Sequence, residues 1–181
     1  MARPSTNTKS DILNAALEVV RTRGAQGLTI DAVAEESGFS KGGVLYNFPT
    51  KDALITGMVE FLASQFEEEV TAARTRNLGS ESPTLSAMID VTEGWLHDRR
   101  DVAQAMLATK ADRPDLSEPF LGVKTRLKAA IETEMSDMGR ALAIWASLEG
   151  LHFSEAHCVA IFTKHERAAI FHDLRKRLKQ I

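Results

Sequence analysis

The apolar residues of this chain recur at helical spacing along almost its whole length, and this pattern restricts the fold more than any other feature. Residues three and four positions apart share one face of an α-helix, whereas a half-buried strand needs alternating apolar and polar residues. No clear alternation occurs, and the one short apolar run that differs is 158–162. The sequence therefore predicts an all-α fold. Glycine and proline interrupt the helical pattern at Gly24, Gly38, Pro49, Pro114 and Pro119.

Capping residues set the ends of the predicted helices. Thr8 is the expected cap of the first helix, because its hydroxyl can accept a hydrogen bond from an unpartnered backbone N–H. Gly24 can adopt the left-handed conformation that often ends a helix, and Thr29, Thr50 and Thr163 are the expected caps of the second, fourth and last helices. Beyond the polar segment 77–83 we expect helices at about 84–98, 101–111, 117–136, 139–153 and 163–180.

Two of the predicted helices are too short to be stable alone. The first of them ends at Gly38 about eight residues after it begins, and the second is closed by Pro49. Isolated helices shorter than about twelve residues are marginal in water, so packing on the first and fourth helices must hold both. A short helix, a glycine turn and a second short helix form the layout of a helix-turn-helix. Residues 1–51 are therefore the predicted helix-turn-helix domain, followed by a C-terminal helical domain over 52–181.

The distribution of charge favours the N-terminal part for any contact with nucleic acid. The formal net charge of the 181 residues is −3 at pH 7, so the protein is not basic throughout. Residues 1–51 hold six lysines and arginines against five acids, a balance of +1, which leaves −4 for the remainder. Phosphate binding needs local positive charge, and this mild asymmetry is compatible with it.

Several classes of protein are disfavoured. Cys158 is the only cysteine, so an intrachain disulfide and a cysteine-based zinc knuckle are excluded. The N-terminus lacks the apolar region of a signal peptide, and no apolar run approaches about 18 residues, so we expect a soluble, cytoplasmic protein. No catalytic pattern stands out, and His152, His157 and Cys158 lack tight metal-ligand spacing. We therefore expect no enzyme activity, no metal and no cofactor.

The segment from Gly24 to Leu54 resembles the DNA-binding domain of the TetR family. The resemblance spans about residues 8 to 56 and rests on the joint spacing of glycines, caps, aromatics and one lysine. It implies a DNA-binding regulator whose C-terminal domain binds an effector and forms a dimer. The residues that carry it are Gly24, Gly27, Thr29, Ile30, Val33 and Ala34, then Gly38-Phe39-Ser40-Lys41-Gly42, then Leu45, Tyr46, Phe48, Lys51 and Leu54.

The resemblance implies a set of DNA contacts. Lys41 can reach a phosphate or a guanine edge, and Asn47 can bond to adenine or a phosphate. Two adjacent glycines lower helix stability by about 1 kcal/mol each, and close approach to the major groove is a reason for them. Gly43 replaces the Ser or Thr more common in the family, which puts the operator sequence in doubt. The expected contacts are Thr29, Ser40, Lys41, Gly42, Gly43, Tyr46, Asn47 and Lys51, with Thr29 and Lys51 capping helices whose N-termini face phosphates.

Simpler interpretations of some of these residues remain open at this stage. Tyr46 could be a half-buried packing aromatic, and Lys41 and Lys51 could be ordinary solvated lysines. Leu45 and Phe48 are expected in the core rather than on DNA.

The C-terminal part is expected to hold the effector pocket and the dimer interface. Methionine and aromatic residues at helical spacing indicate a pocket, although such residues more often form plain core. The candidate pocket residues are Phe61, Met88, Trp95, Met106 and Phe120. We expect the last two helices to pack with their copies as a four-helix bundle, with burial inside one monomer as the alternative. The candidate interface residues are Trp145, Leu148, Phe171, Leu174 and Leu178.

The sequence thus predicts a ligand-responsive, homodimeric repressor that binds a palindromic operator in double-stranded DNA and responds to an unknown small-molecule effector. The alternative is a helical small-molecule-binding or protein-interaction module that has lost DNA binding. The presence of Lys41, Tyr46 and Lys51 argues against that alternative. An enzyme is the least favoured of these three classes of protein.

Overall fold

Eight α-helices make up most of the part of the chain that the structure describes. The computed structural model describes residues 8–98, 114–157, 159 and 161–178, and it contains no β-strand within these ranges. The all-α prediction is confirmed, while the predicted helix at 101–111 lies outside the described residues. The helices are α1 Thr8–Arg23, α2 Ile30–Ser37, α3 Lys41–Asn47, α4 Lys51–Arg76, α5 Pro83–Asp98, α6 Glu118–Glu134, α7 Met138–Ala156 and α8 Lys164–Arg177, with short 3-10 turns at Ala25–Gly27 and Pro114–Ser117.

Threonine hydroxyls begin three of these helices where the sequence predicts caps. The Thr29 hydroxyl accepts a hydrogen bond from the Ala32 amide at 3.1 Å, and α2 follows it. Thr50 begins α4 in the same way. Thr163 and Glu166 form a complete capping box at the start of α8, in which each side chain bonds to the other residue's backbone N–H.

Two of the predicted helix ends are wrong in detail. The helix α1 already includes Thr8, so this threonine lies inside the first turn rather than before it. Gly24 has φ 70° and ψ 176°, which is a positive-φ conformation outside the left-handed helical region. The reason is that the chain passes directly from Gly24 into the 3-10 turn Ala25–Gly27.

The buried side chains form two clusters, and α4 belongs to both. The N-terminal core combines α1, α2 and α3 with the first half of α4, from Leu54 to Leu62. The C-terminal core combines the second half of α4, from Ala63 to Ala73, with α5 to α8. Leu116, from the 3-10 turn before α6, is also buried in the N-terminal core. A displacement of α4 would therefore be felt in both cores. No described helix is long and apolar enough to cross a membrane.

Glu134, the last residue of α6, holds the loop between α4 and α5. Its carboxylate accepts hydrogen bonds from the Ser82 hydroxyl at 2.6 Å, the Thr84 hydroxyl at 2.7 Å and the Thr84 amide at 3.0 Å. It also pairs with Arg74 at 2.8 Å. Burial raises the pKa of Glu134, but these hydrogen bonds and the Arg74 charge outweigh it and hold the pKa below its ordinary value. The first turn of α5 is thereby fixed to α6.

Gly57 allows the end of α3 to pack closely against α4. A Cβ atom at Gly57 would lie 2.7 Å from Cε1 of Phe48 and 3.4 Å from Cδ2 of Leu13. Phe48 follows the last residue of α3 and is buried in the N-terminal core, so its ring has little room to retreat. The absence of a side chain at Gly57 therefore sets the distance between α3 and α4.

Replacing Gly57 by alanine should lower the free energy of unfolding by about 1 kcal/mol. Overpacking against the Phe48 ring costs about 1–3 kcal/mol, while exchange of glycine for alanine in a helix returns about 1 kcal/mol. Urea unfolding followed by circular dichroism measures the difference. Gly94→Ala is the matched control, because a Cβ at this exposed glycine of α5 meets nothing within 4 Å. We expect the control to be stabilised, and equal stabilisation of both variants would contradict the close contact.

Candidate nucleic-acid interface

The turn between α2 and α3 depends on Gly38 and Ser40. Gly38 ends α2 with φ 71° and ψ 7°, the left-handed conformation that side chains disfavour. Ser40 begins α3, and its hydroxyl accepts a hydrogen bond from the Gly43 amide at 3.1 Å. Only residues 38–40 separate the two helices. This short connection fixes α3 at an angle to α2 and gives the helix-turn-helix layout that the sequence predicts.

Val44 and Phe48 anchor the inner face of α3. Val44 is completely buried, and the Phe48 amide donates a hydrogen bond to the Val44 carbonyl at 2.8 Å. Phe48 lies in the core as expected, but Leu45 is only half-buried. The reason is that residues four apart share a helix face, so Val44 rather than Leu45 lies above Phe48.

The opposite face of α3 displays Tyr46 to solvent. This tyrosine is 88% exposed, so the interpretation as a half-buried packing aromatic is wrong. A fully displayed aromatic ring with a hydroxyl has both apolar surface and a hydrogen-bonding group available to a partner molecule.

Two other predicted contacts are engaged within the protein. Nζ of Lys41 lies 2.9 Å from Oδ1 of Asp31 and donates to Oδ2 at 3.0 Å. Asn47 donates from Nδ2 to the Gly43 carbonyl at 2.9 Å, inside the same helix. The Lys41–Asp31 pair was not predicted from the sequence. Its only signal was opposite charge, because the two residues are ten positions apart and meet through the arrangement of α2 and α3.

The two glycines of α3 have different surroundings. A Cβ atom at Gly42 would meet nothing closer than the Ser40 hydroxyl at 4.0 Å. A Cβ atom at Gly43 would lie 3.3 Å from the same hydroxyl and 3.8 Å from Cβ of Phe39. Gly43 therefore leaves room for the cap that begins α3, a reason for this glycine that has nothing to do with DNA.

Thr29 and Lys51 lie exposed at the starts of α2 and α4. Thr29 caps α2 as expected. The expectation that Lys51 caps α4 is wrong, because Thr50 makes the capping hydrogen bond, to the Ala53 amide at 3.0 Å, and Lys51 is the first residue of the helix.

Two of the predicted pocket residues, Trp95 and Phe120, lie where the two cores meet. Phe61, Trp95 and Phe120 are partly buried against the N-terminal core, and Trp95 and Phe120 also contact the C-terminal core. Met88 is instead buried within the C-terminal core, because its face of α5 points inward. Met106 lies outside the described residues.

Trp95 is held in place by two contacts with α4. Its indole Nε1 donates to Glu69 at 2.8 Å, and its ring meets Phe66 edge-on with ring centroids 5.1 Å apart. Trp95 also borders an open groove of about 440 Å³ between α4 and α5, lined in part by Glu69 and Gly94. The groove thus runs along the C-terminal half of α4, and Trp95 is the one lining residue that also contacts both cores.

The predicted dimer-interface residues do not lie on an exposed surface. Leu148, Phe171, Leu174 and Leu178 are all buried in the C-terminal core, and Trp145 is partly buried. Leu148, Phe171, Leu174 and Leu178 are therefore wrong as interface candidates, because the apolar stripes of α7 and α8 face the protein's own core, while Trp145 stays a prediction. The outer face of α7 carries other residues, Leu142, Ala143, Ala146, Ser147, Gly150 and Phe153.

Within the described ranges, no group of three or more His, Cys, Asp and Glu side chains could hold a metal ion. His157 is stacked on Phe153, with ring centroids 3.8 Å apart, and its Nδ1 lies 2.9 Å from the Phe153 carbonyl. Cys158 lies outside the described residues.

A helix-turn-helix supported by α1 and α4 and joined to an all-helical C-terminal part defines the class of helix-turn-helix regulators. Comparison with protein families makes the assignment specific. Residues 12–58 match the family described as bacterial regulatory proteins of the tetR family, and residues 82–179 match the tetracyclin repressor-like C-terminal domain. The second match alone covers more than half of the chain. The protein therefore belongs to the TetR family of transcriptional regulators.

Individual relatives agree with this assignment. The HTH-type transcriptional regulator CymR of Pseudomonas putida is 28% identical over 132 residues, which are 72% of this chain and 64% of CymR. The matched part thus spans less than two thirds of that relative. The multidrug binding protein EbrR complexed with imidazole has a TM-score of 0.67 and 21% identity, covering 99% of this chain and 98% of its own. A TetR transcription regulator from Haloarcula marismortui has a TM-score of 0.72 and 19% identity, covering 96% and 97%. These structural similarities support the fold.

Proposed function

We propose that this protein binds double-stranded DNA as a ligand-responsive homodimeric repressor, with α3 as its recognition helix. The observation that carries the proposal is the 88% exposure of Tyr46 on a helix whose other face is anchored by Val44 and Phe48. A short helix that is fixed on one side and displays an aromatic hydroxyl on the other is suited to insertion into the major groove. A chromosomal operator also implies a cytoplasmic location.

The remaining contacts follow from positions around α3. Lys41 supplies a cation for a phosphate or a guanine edge, and Asn47 lies one residue beyond Tyr46. The open space around Gly42 permits close approach of the helix backbone to DNA. Thr29 and Lys51 are exposed at the starts of α2 and α4, which supports their proposed role as phosphate contacts. Ser40 and Gly43 complete the set by shaping the start of α3.

Replacing both Tyr46 and Lys41 by alanine should weaken binding to the operator at least tenfold, because each direct contact is worth about 1–3 kcal/mol. The operator is first selected from a random duplex pool with the wild-type protein. Binding is then measured by fluorescence anisotropy over a salt series, in which we expect the steep salt dependence of phosphate neutralisation. Leu78→Ala is the control, since Leu78 is 72% exposed but lies in the loop between α4 and α5.

A flat salt response, or full affinity in the double variant, would contradict this assignment of the interface. Failure of the wild-type protein to retain any duplex would favour the alternative function, a helical binding module that has lost DNA binding.

The outer face of α7 is the proposed dimer interface. Ala143, Ala146 and Gly150 are exposed and small, so a partner helix can approach the backbone closely, and Leu142 and Phe153 flank them with exposed apolar side chains. A groove of about 570 Å³ between α7 and α8 borders the same face. A dimer on a palindromic operator must present two copies of α3 to half-sites about 34 Å apart, and a two-fold axis supplies the matching symmetry.

The variant Gly150→Arg should convert the dimer into a folded monomer. A Cβ at Gly150 meets nothing within 4 Å inside the protomer, so the arginine fits the single chain but obstructs a partner helix. Light scattering after size-exclusion chromatography measures the mass, and circular dichroism checks the fold. Gly94→Arg is the matched control, because this glycine is equally open but lies on α5. A dimeric Gly150→Arg protein would exclude α7 as the interface.

The effector is proposed to bind beside Phe61, Trp95 and Phe120. Trp95 and Phe120 contact both cores, Phe61 packs against the N-terminal core, and α4 contributes to both cores. A ligand that favours one position of α4 would therefore shift the population of protomers whose recognition helices fit the operator.

Ligand binding at this junction should quench the fluorescence of Trp95 and change operator affinity. The chain has two tryptophans, so Trp145→Phe leaves Trp95 as the only one. Malachite green, proflavin and ethidium, which have been observed in complex with EbrR, are suitable first probes. The reciprocal variant Trp95→Phe is the control. Quenching of Trp145 alone would place the effector elsewhere.

A further inference from the structure

The ion pair between Asp31 and Lys41 lies on the proposed DNA-binding surface itself. Both carboxylate oxygens of Asp31 are within reach of the Lys41 ammonium, at 2.9 and 3.0 Å. The side chains are 70% and 60% exposed, so the pair is solvated and adds little to stability. Asp31 is in the first turn of α2, directly after the Thr29 cap and Ile30. The helix dipole favours an acid in this first turn, and at Asp31 the acid has the further consequence that it pairs with Lys41.

We propose that Asp31 determines specificity by holding Lys41 away from DNA that lacks the operator. The inference rests on the proposed function, in which Lys41 contacts DNA. A carboxylate and a phosphate offer the same ammonium group similar anionic acceptors. On random DNA, Lys41 could exchange Asp31 only for a phosphate. The carboxylate of Asp31 would then lie unpaired beside the negatively charged DNA backbone. The exchange therefore gains no free energy on random DNA, and the ion pair between Asp31 and Lys41 remains intact.

On the operator the exchange is favourable. A guanine edge offers two acceptors, O6 and N7, to one lysine, and it carries no net charge that would repel Asp31. Tyr46 and Asn47 fix the register of α3 on the correct bases, so Lys41 meets this edge only on the correct sequence. Lys41 therefore contributes to the affinity for the operator, whereas Asp31 neutralises its charge during non-specific binding.

The low positive charge of the N-terminal part makes this single pair important. Residues 1–51 carry a balance of only +1. Non-specific affinity comes almost entirely from neutralised phosphates, so release of one lysine changes a large part of the available charge.

The variant Asp31→Asn tests the proposal through the salt dependence of binding. On a random duplex we expect affinity to rise about two- to fivefold, the range for one exposed ion pair. We also expect the slope of log K against log salt to steepen by about 0.9, the value for one additional phosphate contact. On the selected operator the slope should match that of the control. Glu36→Gln is that control, because it removes one exposed negative charge from the same helix.

A double-mutant cycle distinguishes the effect of the Asp31–Lys41 ion pair from general repulsion between Asp31 and DNA. In a Lys41→Ala background, Asp31→Asn should no longer steepen the slope on random DNA beyond the change produced by Glu36→Gln. Asp31→Ser is a second variant that keeps a polar residue in the first turn of α2, and thermal unfolding verifies that each variant folds.

The outcomes distinguish this inference from the proposed function. Wild-type protein that binds an operator, together with an Asp31→Asn variant indistinguishable from Glu36→Gln, would overturn the role of Asp31 and leave the function standing. The same steepening in the Lys41→Ala background would also overturn it, since Asp31 would then act by repulsion alone. Failure of the wild-type protein to bind any duplex would contradict both the role of Asp31 and the proposed function.

Discussion

The close packing of the Phe48 ring against Gly57 is the constraint on which the proposed DNA-binding surface depends. The helix α3 has only seven residues, so it cannot hold its own conformation or direction in water. Its position is set by Val44 and Phe48 on one side and by the Ser40 cap at its start. Tyr46 therefore points outward because the short helix α3 packs on the much longer helix α4 through this one close contact.

Most of the helix starts and the family resemblance could be predicted because they depend on residues close in sequence. Caps such as Thr29 and Thr163 act over three residues, and a glycine with positive φ acts at its own position. Three-dimensional neighbours could not be predicted in this way. The periodicity of α3 did not distinguish Val44 from Leu45, and the apolar stripe containing Leu148 fits an intramolecular core as well as an interface. The Lys41–Asp31 pair required the angle between two helices.

The two cores share more than α4. Leu116 reaches the N-terminal core from a turn that precedes α6, while Trp95 and Phe120 touch both cores. The N-terminal part is therefore supported from the C-terminal side by side chains far away in sequence. Coupling between the proposed effector site and α3 would need no separate pathway, because the residues that contact both cores also belong to the packing that supports the helix-turn-helix.

The unequal surroundings of Gly42 and Gly43 bear on how such a protein acquires a new target. At Gly43 the cap of α3 opposes any added side chain, with the Ser40 hydroxyl 3.3 Å from a Cβ atom, whereas at Gly42 the first protein atom is 4.0 Å away. A side chain introduced at position 42 would strengthen the helix by up to about 1 kcal/mol and would extend toward solvent or DNA. Divergence between gene duplicates, or laboratory selection for altered operators, can therefore start at position 42 without first repairing the fold.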